Sequence, residues 1–236
     1  MKVYFVGAGP GDPKLITVRG KELLEAADLV VYTGSLVNAE VLQYTNGITI
    51  NSFRMTLEEI VTVIVDALQR GETVVRLHSG DPALYSAIDE QISALESCGI
   101  DYEIIPGVSS VFASAAALGK QLTRDTLIIT RPSGKTLEMD KIAELSEYGT
   151  TMAIFLGVDR IAEIVHKLRY PPTTPVGVVY HASWADQTII TGTISDIVHK
   201  VRQAGITRSA IILVGDDLSK RNLRRSFLYS KMGKKL

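Results

Sequence analysis

One pattern constrains this chain more than any other: a short apolar run, a glycine-bearing loop, then an amphipathic stretch. It occurs at Val3 to Val6 before GAGPGDP (residues 7–13) and at Thr73 to Leu77 before HSGDP (residues 78–82). It occurs again at Tyr102 to Ile105 before PGVSS (residues 106–110). Strands alternating with helices build a parallel sheet with helices on its faces. All three loops then fall at the carboxyl edge of that sheet, where α/β proteins place their ligands. Glycine in such loops lets a ligand approach the backbone closely.

The rest of the first half follows the same alternation. Thr17 to Ala27 reads as a helix with Leu23, Leu24 and Ala27 on one face, and Leu29 to Tyr32 as a second strand. Thr56 and Glu59 have capping-box spacing and open a helix that buries Ile60, Val63, Ile64, Ala67 and Leu68. A further helix is expected from Ala83 to Ser97 and a small-residue helix from Ser109 to Leu118.

Near Gly119 to Asp125 the pattern resets. Strands are expected at Leu127 to Thr130, Met152 to Leu156, Val176 to His181, Thr188 to Thr191 and Ala210 to Val214. Helices are expected at Glu138 to Tyr148, around Ile161 to Leu168, and at Ile194 to Gln203. Only a short loop joins the strands around Val178 and Ile189, so part of this second sheet must be antiparallel. The reading is two α/β domains, residues 1–122 and 123–236, the second ending in a basic tail from Lys220.

The first loop invites comparison with a dinucleotide cradle, and fails it. Gly7 and Gly9 fit the first two places of Gly-x-Gly-x-x-Gly, but Asp12 holds the third and Pro13 follows. The helix cap is delayed to Thr17, so no helix N-terminus lies under the loop, and a carboxylate there repels phosphate. No acidic residue ends the second strand in LVVYTGS. An NAD-linked oxidoreductase is therefore the poorer reading, and a cationic or zwitterionic nucleoside the better one.

Composition excludes several partners. The formal net charge of −1 gives no electrostatic footprint for nucleic acid. No apolar run reaches the roughly eighteen residues of a membrane span. The single cysteine, Cys98, permits no internal disulfide, which suits a reducing cytoplasm. The four histidines, at 78, 166, 181 and 199, have no metal-site spacing. His166 and His199 read as surface groups. His78 either orders the HSGDP loop or meets a ligand, and His181 with Trp184 either borders a cleft or simply packs.

The blocks YFVGAGPGDPKLITVRGKELLEAADLVVY, VRLHSGDPALYSAI and IPGVSSVFASAAALG resemble the signature blocks of the tetrapyrrole methylases. AIFLG, VVYHASWADQ and AIILVG extend the resemblance into the second half. TGSLVNAEVL, NSFRMTLEEI and the tail segment RRSFLYS are similar to the branch that methylates precorrin-4, or its cobalt complex, at C-11 during cobalamin synthesis. The resemblance implies the class III methyltransferase fold, two α/β domains with the active-site cleft between them. It also implies a homodimer, S-adenosyl-L-methionine as methyl donor and a tetrapyrrole as substrate. Related activities remain as alternatives: a uroporphyrinogen methylase, a diphthine synthase, or a non-catalytic tetrapyrrole carrier.

Carried over residue by residue, the resemblance implies that Pro10, Gly80, Asp81, Tyr85, Ser109 and Ser110 hold the cofactor from the first domain. Phe155, Leu156, Ala182 and Leu213 hold it from the second. Asp12 either orients the macrocycle and assists proton transfer or caps the turn before Pro13. Arg54, Arg76, Arg131, Arg224 and Arg225 are candidate partners for substrate carboxylates. The link LGKQLTRDTLIITR is shorter than the family's usual one, which bears on how the cleft closes.

Overall fold

The computed structural model describes residues 1–219 except 35 and 124. The basic tail, with Arg224, Arg225 and RRSFLYS, lies outside the described residues. The first half contains β1 (Lys2–Gly7), α1 (Val18–Ala26), β2 (Leu29–Tyr32), β3 (Ile48–Asn51) and α2 (Leu57–Gln69). It continues with β4 (Val74–His78), α3 (Ile88–Ser97), β5 (Asp101–Ile105) and α4 (Ser110–Leu118). The second half contains β6 (Leu127–Thr130), α5 (Ile142–Ser146), β7 (Thr151–Ile154), α6 (Ile161–Lys167) and β8 (Pro175–Tyr180). It closes with β9 (Thr188–Thr193), α7 (Ile197–Gln203) and β10 (Ala210–Val214).

The first five strands form one sheet in the order β3-β2-β4-β1-β5, with every pairing parallel. Because β4, β1 and β5 are adjacent, the three glycine-bearing loops that leave them lie side by side. Helices cover both faces. Leu23, Leu24 and Ala27 pack with Val6, Val30 and Leu77 on one, while Ile60, Ile64, Leu68 and Leu95 pack with Val3, Phe5 and Val31 on the other. The capping box at α2 is complete. The Glu59 N–H donates to Thr56 Oγ1 at 3.3 Å and Glu59 Oε2 accepts from the Thr56 N–H at 2.8 Å.

The second sheet has the order β6-β7-β10-β8-β9. β6 and β7 are parallel, and β10 runs antiparallel to both its neighbours. β8 and β9 pair antiparallel, as their short connection requires. Its core is built on Met152, Ile154, Ile164, Val178, Ile197 and Ile212. α4 lies on this second sheet: Val111 and Ala115 pack with Ala153, Ile211 and Leu213. The small side chains of α4 allow that close approach. Leu122, in the link between the two sheets, is buried in the same cluster.

Two local expectations are corrected. α3 begins at Ile88 rather than Ala83, because Tyr85 (φ 56°) and Ala87 (φ 48°) hold left-handed conformations that interrupt a helix. The Glu138 to Tyr148 helix shrinks to Ile142–Ser146. Asp140 accepts backbone N–H bonds from Ser133 (2.9 Å) and Ile142 (3.1 Å), which folds the preceding residues into a loop.

Candidate active site

The three glycine loops of the first sheet touch through their backbones. The Gly80 N–H donates to the Gly9 carbonyl at 2.8 Å, and the Gly9 N–H returns to the Gly80 carbonyl at 3.3 Å. Cβ atoms added at Gly7 and Gly107 would lie 2.6 and 2.1 Å from the Gly80 carbonyl oxygen. No side chain fits either position. Asp81 ties the third loop to the second: its Oδ2 accepts from the Gly107 N–H at 3.0 Å and its Oδ1 from the Ala83 N–H at 2.8 Å. The result is a rigid main-chain wall at the carboxyl edge of the sheet.

A cavity of about 580 Å³ opens between that wall and the second sheet. Of the residues expected to hold the cofactor, Pro10, Gly80, Asp81, Tyr85, Ser109, Ser110, Phe155, Leu156 and Ala182 all line it. Leu213 does not. The cavity reaches only the start of β10, at Ala210 and Ile211, whereas Leu213 lies further along the strand, fully buried with Val111 and Ala115 of α4. Asp12 is also absent from the lining. Its Oδ1 accepts from the Lys14 N–H at 2.9 Å and caps the short 3₁₀ turn Pro13–Leu15, so the structure gives its carboxylate the capping role.

Strained backbone marks the walls. Tyr85, Leu156 (φ 53°), His181 (φ 46°) and Ser183 (φ 71°) are all left-handed, and the first three line the cavity. The Tyr85 and Phe155 rings meet edge to face at 5.1 Å, joining the two halves across the cleft. The Arg131 guanidinium lies over the Tyr85 ring at 5.6 Å from its centroid and is fixed there by Thr136. Burial raises the Tyr85 pKa above its ordinary value, with Arg131 opposing.

The candidate cations sort by position. Arg76 is buried in β4 with no carboxylate partner among the described residues. Its Nε donates to Gln91 Oε1 (2.7 Å), its Nη1 to the Val31 carbonyl and Ser52 Oγ (both 3.1 Å), and its Nη2 to Thr33 Oγ1 (3.3 Å). Burial lowers its pKa to about 10, so the charge persists at neutral pH. Arg76 braces the sheet and does not line the cavity. Arg54 is exposed and also outside the cavity lining. Sequence reasoning missed Arg208, an exposed cation in the lining, because the turn before β10 carries no loop signature.

The histidines divide similarly. His166 and His199 are exposed, as expected. His78 lines the cavity, stacks on Phe5 at 5.9 Å and has a buried Nε2 without a hydrogen-bond partner among the described residues. Burial and the neighbouring Arg76 push its pKa down to about 3, so the ring is neutral. His181 lines the cavity beside Trp184, and its Nδ1 contacts both oxygens of Asp186 at 2.9 and 3.0 Å. Among the described residues no group of three or more His, Cys, Asp or Glu side chains is placed to hold a metal ion.

The donor set fits S-adenosylmethionine. Volume matches a nucleoside-sized ligand. Hydroxyls at Ser109, Ser110 and Ser209 and the edge-to-face aromatic pair suit ribose and adenine, and Asp81 and Asp159 suit a sulfonium and an ammonium. The N-terminus of α1 offers no open phosphate site under the first glycine loop, because Thr17 caps it with its own hydroxyl.

Comparison with known proteins agrees. The chain is 51% identical to the cobalt-precorrin-4 C(11)-methyltransferase of Methanocaldococcus jannaschii, over 98% of this chain and 93% of that protein. It is 44% identical to the precorrin-4 C(11)-methyltransferase of Pseudomonas aeruginosa, over 97% and 95%. The solved structure of a cobalt precorrin-4 methyltransferase, a cobalamin biosynthetic enzyme, superposes with a TM-score of 0.89 at 40% identity, covering 93% of this chain and 96% of that one. The uroporphyrin-III C-methyltransferase of Thermus thermophilus, in complex with S-adenosyl homocysteine, gives 0.79 at 26% identity, covering 92% and 99%. The profile of the Tetrapyrrole (Corrin/Porphyrin) Methylases matches residues 2–198, and the chain belongs to that family.

Proposed function

We propose that this cleft transfers a methyl group from S-adenosylmethionine to C-11 of precorrin-4 or its cobalt complex. The observation that carries the reading is the glycine wall facing Phe155, Leu156 and Ala182 across one cavity. The names of relatives at 44 and 51% identity support the choice of tetrapyrrole.

The methyl donor supplies an electrophilic methyl on sulfonium, so the protein's task is orientation. The backbone wall bounds one face of the cavity, and Tyr85, Phe155 and Leu156 line the other. Asp81, already locked by two backbone N–H groups, fixes the shape of the Gly80 turn. Holding two reactants in line supplies a large share of such a rate.

In this reading residues 1–122 and 123–236 are two domains meeting at the cleft, in a cytoplasmic homodimer. Exposed Phe112, together with Tyr102 and Ile104 on the edge strand β5, offers apolar surface for the second copy, and light scattering tests that state.

The deciding experiment incubates the protein with carbon-13 methyl S-adenosylmethionine and precorrin-4, with and without cobalt. NMR then locates the label. A new methyl at C-11 supports the reading and the cobalt comparison names the preferred substrate. Cofactor binding without transfer favours a carrier.

A further inference from the structure

The cleft holds one side chain arranged as a proton acceptor. His181 follows β8 and its ring is stacked between Tyr180, at 3.8 Å, and Trp184, at 4.5 Å. A carboxylate only accepts hydrogen bonds, so Asp186 fixes the proton of the neutral ring on Nδ1. Nε2 then carries the lone pair, and it makes no hydrogen bond among the described residues. The segment is pinned over the cleft. The Trp184 Nε1–H donates to the Pro10 carbonyl, and Ser183 Oγ accepts from the Asp12 N–H, each at 2.9 Å. The left-handed backbone at His181 and Ser183 is strain held at this point of the fold.

The other basic groups lining the cavity are poorer acceptors. Asp81 accepts a backbone N–H on each oxygen, which holds its carboxylate against the Gly80 and Gly107 loops. His78 is buried against the Arg76 charge, which disfavours its protonation. Asp159 is exposed to water at the rim, and no side chain among the described residues fixes its orientation.

We infer that His181, oriented by Asp186, is the general base of the methyl transfer; the inference rests on the reaction proposed above. The methyl leaves sulfur without the C–S electron pair, and an enamine-type pair of the tetrapyrrole forms the new C–C bond. The pyrrole nitrogen conjugated to that carbon becomes cationic. Its N–H proton passes to Nε2 of His181, leaving a neutral imine, and Asp186 faces the imidazolium that results.

The test uses His181→Asn and His181→Gly, both compatible with a left-handed backbone, and Asp186→Asn. Nitrogen-15 NMR of the wild-type imidazole should show the Nδ1-protonated tautomer, altered in Asp186→Asn. S-Adenosylhomocysteine affinity, by calorimetry, should stay within about twofold, while single-turnover transfer to metal-free precorrin-4 falls about 100-fold in both His181 variants. Added imidazole should restore part of the rate in His181→Gly. Full rate in His181→Asn, an Nε2-protonated wild-type ring, or parallel loss of rate and affinity overturns the inference. A wild type that methylates only the cobalt complex, whose ring nitrogens bind metal rather than protons, overturns it too. A wild type that methylates neither substrate refutes the proposed reaction instead.

Discussion

The indole nitrogen of Trp184 donates to the carbonyl of Pro10 at 2.9 Å, so a loop of the second sheet grips the first glycine loop of the other. Gly11 makes this seat possible. A Cβ there would lie 2.0 Å from Trp184 Cδ1.

Gly11→Ala should therefore dislodge the chain's only tryptophan. Its fluorescence should shift to the red, and stability should fall by about 1–3 kcal/mol, the usual cost of overpacking. In a Trp184→Phe background the same substitution should cost much less, since the clash is mainly with the indole. Urea titrations of the four proteins measure that coupling.

Arg76 predicts a different cost. Replacing it with Met leaves Gln91, the Val31 carbonyl, Ser52 and Thr33 without their shared donor. Buried unpaired polar groups cost about 1–3 kcal/mol each, so a loss of roughly 3 kcal/mol in urea-unfolding free energy is expected. Lysine should rescue little, because one ammonium cannot span acceptors on β2, on α3 and in the loops after β2 and β3.

His78 predicts a pH dependence. Its folded pKa, about 3, lies below the value of about 6.5 in an unfolded chain, so the unfolded state takes up the proton first as pH falls. Its contribution is complete above about pH 6.5 and declines as pH drops toward 3, by about 2 kcal/mol at about pH 5. His78→Gln, which does not titrate, should show a smaller fall in unfolding free energy between about pH 7.5 and pH 5. An equal fall in both proteins would assign the acid sensitivity to other groups.

Asp12 separates capping from catalysis. Asparagine caps as well as aspartate, so Asp12→Asn should keep both turnover and stability. Asp12→Ala should lose about 1 kcal/mol in urea unfolding with cofactor affinity intact. Turnover lost in Asp12→Asn at unchanged stability would restore the carboxylate to the chemistry.

Much of this site was legible in the sequence because it is made of backbone. Gly7, Gly80 and Gly107 follow apolar runs, and a parallel sheet brings such loops to one edge without further information. The delayed cap at Thr17 was equally visible, and it removed phosphate from consideration. Leu213 misled because strand residues a few positions apart lie about 10 Å apart along the strand. Only the first residues of β10 reach the cleft. The late start of α3 left no sequence signal, since nothing in the residue types of Tyr85 and Ala87 announces the left-handed conformations they hold. The pairing of His181 with Asp186 was hidden for a related reason. Five residues apart on an irregular loop, they share no periodicity.

The wall of the cleft has a consequence for how this protein can change. A pocket surface made of side chains can be rewritten one residue at a time, with each substitution altering what it admits. A surface made of peptide groups is the same in any sequence that keeps the chain path. At Gly7 and Gly107 the alphabet has a single letter, since a methyl group already collides with the Gly80 carbonyl. What the cleft admits can drift through the residues around its rim, while the half made of peptide groups stays fixed.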